Sequence, residues 1–171
     1  GWLGSIALAA HQVMVAISTL GFMIYYGVGA AISVRVSNYF GRGDLLNVRR
    51  TTLAGFHLIL CLALMASAVF MFSQNLIGYL FTNSPEVIST VSTLVFILVA
   101  YQFGDALQIT YANSLRGIGD VVSMALISVC YICGFILKGG IQGIWLGYPV
   151  GLTLTGIMMC ARYYYKTVLR K

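Results

Sequence analysis

A single carboxylate, Asp105, interrupts a run that is otherwise uncharged from Val87 to Leu115, in the stretch VAYQFGDALQITYANSLRG. On insertion scales a carboxylate at a bilayer centre costs about 2.5–3.5 kcal/mol, and each Leu, Ile, Phe or Val returns about 0.3–0.6 kcal/mol. An acid carried into apolar surroundings at that cost is a functional-site candidate by default. At helical spacing Tyr101 and Gln108 fall on its face, so a hydroxyl and an amide would flank the carboxyl on a helix wall facing a wet cavity. The competing reading is a protonated acid satisfied by a neighbouring helix, with no further role.

The other groups able to do chemistry are few. His11 and His57 could relay protons, because a neutral imidazole is tolerated in apolar surroundings and titrates near physiological pH; each equally suits a hydrogen bond between helices. Phe22, Met23, Tyr25 and Tyr26 could line a pocket for flat hydrophobic cations through cation–π contacts and adaptable packing, or could be ordinary helix contacts. The cysteines Cys61, Cys130, Cys133 and Cys160 lie in apolar stretches and imply no disulfide framework, and CYIC lacks the polar strand-to-helix setting of a redox motif. There are no paired carboxylates, no metal-spaced histidines and no phosphate-cradling glycine loop, so an enzyme is not expected, and no metal or organic cofactor is implied.

The elements that must hold these groups follow from composition. Of 171 residues, 60% are hydrophobic and 8% charged, and the mean hydropathy is +0.91, whereas a soluble domain is about a quarter charged. The expected class is an all-α polytopic membrane helix bundle, one transmembrane domain over 1–171 with spans near 6–34, 49–73, 86–115, 121–137 and 143–163. Asp44 is placed to cap the second helix. Ser84, Pro85 and Glu86 form the start of the third, Gly117 should end it in a left-handed turn, and Asp120 should cap the fourth.

The net charge of +6 does not point to nucleic acid, because the cations sit at span ends. Arg35, Arg42, Arg49, Arg50, Arg116, Arg162, Lys166, Arg170 and Lys171 fall on one side and only Lys138 on the other, which orients the C-terminus to the cytoplasm. The RGD tripeptide at Arg42–Asp44 then lies on a cytoplasmic turn and reads as coincidence. The first apolar run has no positive charge before it, so a signal peptide is not expected; an external start calls instead for a preceding helix. Gly27 and Gly29 allow either close packing or a hinge in the first span, and Pro149 either a fixed kink or a hinge in the last.

ALAAHQVMVAISTLGFMIYYGVGAAISVRVSNYFGRGD resembles the eighth transmembrane helix and following loop of the multidrug and toxic compound extrusion (MATE) transporters. DALQITYANSLRGIGD is similar to the end of their tenth helix, and GIQGIWLGYPVGLTLTG to the start of the twelfth. The resemblance covers the second lobe of a two-lobed, twelve-helix transporter without that lobe's first helix. It implies export of cationic or amphipathic organic compounds across a cell membrane, in bacteria the inner one, in exchange for Na⁺ or H⁺ and by alternating access. Asp105 and Tyr101 match the acid and the preceding tyrosine that bind the cation in sodium-coupled members, and the partner acid on the seventh helix would belong to the segment not included, as would the first lobe. One departure stands out: 121–137 is short for the eleventh helix, at the lower limit for crossing a bilayer. Two rival readings are a lipid-linked-saccharide flippase of related architecture, which would favour several cavity Arg or Lys for phosphate, and a non-transporting membrane fragment.

Overall fold

The computed structural model describes residues 5–120 and 140–169. Five helices run in order: α1 (Ser5–Gly41), α2 (Leu45–Phe72), the short α3 (Gln74–Phe81), α4 (Pro85–Gly117) and α5 (Gly140–Tyr164), the last continuing into a π-helical turn, Tyr165–Leu169. Among the described residues three helices are long and apolar enough to cross a membrane, over Leu8–Gly41, Leu45–Phe72 and Pro85–Gly117. The span expected at 121–137 lies outside the described residues.

The helices run past the expected span ends because polar caps, not the loss of hydrophobicity, stop them. α1 has 37 residues and is about 55 Å long, well beyond the hydrocarbon thickness of about 30 Å. It ends when Gly43 takes φ 74°, with Gly43 N donating to Phe40 O at 3.0 Å and Asp44 N to Tyr39 O at 3.0 Å. That bonding pattern satisfies the last carbonyls of a helix when the left-handed residue follows it. Asp44 then caps α2, accepting from the backbone N of Asn47 at 3.0 Å and from its side-chain amide at 2.6 Å. These two bonds, the backbone one first, hold the Asp44 carboxyl below its ordinary range.

α4 ends the same way, which corrects one sequence expectation. The left-handed residue is Gly119, with φ 77°, not Gly117. Gly119 N donates to Arg116 O at 3.0 Å and Asp120 N to Leu115 O at 2.9 Å. Gly117 is the last helical residue and is needed for a close approach, since a Cβ there would meet Ser33 O at 2.8 Å and Val36 Cγ1 at 2.7 Å. YFGRGD and LRGIGD are thus two copies of one helix-stop device, each closing on an aspartate. Ser84 occupies the N-cap of α4 in extended conformation, but its side chain makes no capping bond; Pro85 follows at the first turn.

Pairwise contacts fix the packing. Gly29 lies against Ile109 and Asn113, and Gly117 against Ser33 and Val36, so α1 and α4 run parallel. α5 is parallel to α4, with Gly104 against Thr153 and Gly156 against Leu107 and the backbone of Gln108. α2 returns antiparallel, Gly55 against Ile32 of α1 and Gly21 of α1 against Phe70. α3, a run the sequence reads only as a connection, lays Gly78 on Ile88 at the start of α4. The core divides into two apolar clusters: one around Ala10, Met14, Val91, Leu94 and Leu98, the other around Ile32, Val36, Val48, Ile59, Ile109 and Leu115.

Candidate ion site at the seam of two cores

α4 crosses from one apolar cluster to the other between Tyr101, the last residue of the first, and Ala106, an early residue of the second. The polar side chains collect in that interval. Asp105 is 5% exposed, Tyr101 8% and Gln102 1%. Ser67 of α2 donates to Gln102 Oε1 at 2.9 Å, which joins α2 to α4 one turn from Asp105. Asp105 itself makes no hydrogen bond or ion pair with any described residue. An uncompensated buried charge is too costly to persist, so such a carboxyl exists either with a proton or with a bound cation.

The expected site residues fall in different places. Tyr101 and Asp105 are both buried on α4, while Gln108 is half-buried at the α4–α5 contact. Tyr25 is buried at 1% exposure, but Phe22, Met23 and Tyr26 are exposed at 38%, 68% and 53% and occupy another side of α1. The rings of Phe22 and Tyr26 are 5.5 Å apart on that side. His57 is exposed and bonds its own helix, Nδ1 donating to Leu53 O at 2.7 Å, with its ring edge-on to Phe56. His11 is half-buried near the start of α1, and neither histidine bonds Asp105. Gly27 has open space where a Cβ would be, whereas a Cβ on Gly29 would lie 2.6 Å from Asn113 Nδ2. Pro149 is half-buried inside α5, which continues through it.

Gln102 and Ser67 were missed. Gln102 lies three residues before Asp105, the same offset that recommends Gln108 three residues after it, so spacing alone ranks them equally. Ser67 sits in MASAVF, where a small polar residue has no distinguishing neighbour.

A second polar cluster ties the far end of the bundle. Thr52 Oγ1 of α2 lies within hydrogen-bond distance of Ser114 Oγ on α4 (3.0 Å) and Tyr163 Oη on α5 (2.9 Å). Arg49 Nη2 donates to Thr167 O of the π-helical turn. Asp120 accepts from Arg162 Nε at 2.7 Å and Nη2 at 3.2 Å, and Lys166 Nζ is 3.0 Å from its Oδ2. The Arg162 bond first, and Lys166 after it, hold the Asp120 carboxyl below its ordinary range. Capping of a following helix by Asp120 lies outside the described residues.

Three helices long and apolar enough to cross a membrane, among the described residues, define a multi-pass α-helical membrane protein. The sequence model of the MatE family matches residues 1–138. The "Probable multidrug resistance protein NorM" of Xanthomonas campestris is 35% identical over 95% of this chain and 38% of its own length. "Multidrug resistance protein PmpM" of Pseudomonas aeruginosa is 32% identical over 95% of this chain and 37% of its own. The fold superposes on an inward-facing multidrug resistance MATE family transporter with TM-score 0.82 and 17% identity, covering 96% of this chain and 42% of that one. An outward-facing one gives 0.83 and 17%, covering 96% and 41%. The chain belongs to the MatE family. It spans less than two-fifths of the length of the NorM relatives it matches.

Proposed function

We propose that this chain is the greater part of the second lobe of a cation-coupled exporter that moves cationic or amphipathic organic compounds in exchange for Na⁺ or H⁺. The observation that carries the reading is Asp105, buried in a membrane-spanning helix with no hydrogen-bond or ion-pair partner among the described residues. An acid in that state binds whichever cation reaches it, so a coupling ion and an organic cation compete for one charge. The names of the NorM relatives, multidrug resistance proteins, support drugs as the exported class.

The exposed face of α1, with Phe22, Met23 and Tyr26, would line the cavity shared with the first lobe and receive flat hydrophobic cations there. Similar TM-scores against inward-facing and outward-facing relatives support a lobe that rocks as one body. The remaining partners are membrane lipid, the first lobe and the seventh helix. The basic residues toward the ends of α1, α4 and α5 support a cytoplasmic C-terminus, in bacteria at the inner membrane.

The test is ethidium efflux from cells expressing the full-length transporter that contains this chain. Efflux should exceed that of cells without it and should collapse in Asp105→Asn; no efflux from the parent under either a Na⁺ or an H⁺ gradient would remove the drug-export reading.

A further inference from the structure

Tyr25 is a buried phenol whose hydroxyl has no hydrogen-bond partner among the described residues. A buried hydroxyl left unpaired costs free energy, and such groups in folded proteins call for a water, ligand or ion that completes them. Its position on α1 answers what that ligand is. Gly29 faces Ile109 and Asn113, and Gly117 faces Ser33 and Val36. Carried back one turn along these parallel helices, that register sets Tyr25 level with Asp105 to Ile109. The ring packs in the same cluster as Ala106, which directly follows Asp105, and Ile109, and it lies within electrostatic range of Asp105.

The two groups are not hydrogen-bonded to each other, and neither has another hydrogen-bond partner among the described residues. Among the described residues α2 and α5 bring no charged side chain to this depth; the uncharged Ser67–Gln102 pair and the buried phenol of Tyr101 lie one turn from Asp105, while Tyr26 and Cys61, also near this level, are exposed. Gly21, one turn before Tyr25, leaves the hydroxyl its room, since a Cβ there would stand 3.0 Å from Tyr25 Oη.

We propose that the Tyr25 hydroxyl is a ligand of the coupling-ion site, supplying a neutral oxygen from α1 to a cation held by the Asp105 carboxylate. This rests on the reading of Asp105 given above. Hard cations take several oxygen ligands, and a neutral one adds coordination without a second charge to desolvate. An ion bridging Asp105 and Tyr25 also links α4 to α1, the helix whose other side carries Phe22, Met23 and Tyr26, so occupancy of the ion site would be felt at the face proposed for organic cations.

The experiment uses the full-length transporter in proteoliposomes. The half-saturating concentration for ethidium movement is measured for Na⁺ at fixed pH and for H⁺ without Na⁺, in the parent, Tyr25→Phe, Gly21→Ala and Asp105→Asn. Tyr25→Phe keeps the ring and should raise the half-saturating concentration of the coupling ion about tenfold, as expected for deleting one hydrogen-bonding group facing a charge. Its maximal rate and melting temperature should stay near the parent's, and Gly21→Ala, which crowds the hydroxyl, should shift the same constant in the same direction. If Asp105→Asn abolishes ion dependence while Tyr25→Phe leaves half-saturation within twofold of the parent, the Tyr25 assignment is wrong and the Asp105 reading stands. If Asp105→Asn keeps the parent's ion dependence, both fall.

Discussion

The Asp120 carboxylate grips the Arg162 guanidinium with both oxygens, at 2.7 and 3.2 Å, and so fastens the end of α4 to the end of α5. Lys166, 3.0 Å away, makes the cluster net positive. Removing the acid therefore leaves two cations facing each other, which is worse than losing one ion pair. Asp120→Asn should lower the melting temperature of the detergent-solubilised transporter, and Arg162→Ala should lower it less, because Lys166 still pairs. Equal losses from the two would contradict this ordering.

The same cluster sets a pH dependence whose sign is fixed. The folded-state pKa of Asp120 is depressed, so its contribution is complete above the unfolded carboxyl pKa of about 3.9 and is lost as pH falls through the folded value. The melting-temperature gap between parent and Asp120→Asn should hold from pH 7 to 5 and narrow below pH 4. A gap that widened on acidification would reverse the sign and refute the assignment.

Thr52 joins α2, α4 and α5 through Ser114 and Tyr163. Thr52→Val keeps the shape and leaves buried hydroxyls short of a partner, a loss of about 1–3 kcal/mol. Tyr163→Phe should cost a similar amount, and the double variant less than the two together, because both remove one shared bond. Denaturation of the three variants in detergent checks this, and strict additivity would show that the hydroxyls act independently.

Two neighbouring glycines should behave in opposite ways. A Cβ at Gly29 meets Asn113 Nδ2 at 2.6 Å and Ile109 Cγ2 at 2.9 Å, so Gly29→Ala should force α1 from α4 at about 1–3 kcal/mol. Gly27 has nothing within 4 Å, so Gly27→Ala should be neutral or stabilising. If Gly27→Ala leaves the melting temperature intact while slowing efflux, Gly27 is a hinge.

Much of the fold is legible in the sequence because lipid as solvent leaves few choices. Charge-free runs of sufficient length have to be helices, and cations have to collect where helices leave the bilayer. What was not legible is which side of a helix faces inward. α1 is apolar around its circumference, so FMIYY offers adjacent aromatic residues with nothing local to separate the buried Tyr25 from the exposed Tyr26. The GIG of 117–119 poses the same problem: both glycines could take a left-handed turn, and only the approach of Ser33 and Val36 to Gly117 assigns the turn to Gly119. α3 was hidden because it continues an apolar run with no cap signal of its own. Asp105 was legible because it stands alone, while Gln102, Ser67 and the Tyr25 hydroxyl belong to residue types that recur throughout the chain.

The most direct test of the account is ion-driven transport by the purified full-length protein in proteoliposomes, with Na⁺ and H⁺ gradients imposed in turn on the parent and on Asp105→Asn. Accumulation of ethidium against its gradient by the parent, with loss of that accumulation in the variant, is the expected result. Gradient-driven accumulation at the parental rate by Asp105→Asn would show that the coupling ion does not use this carboxyl.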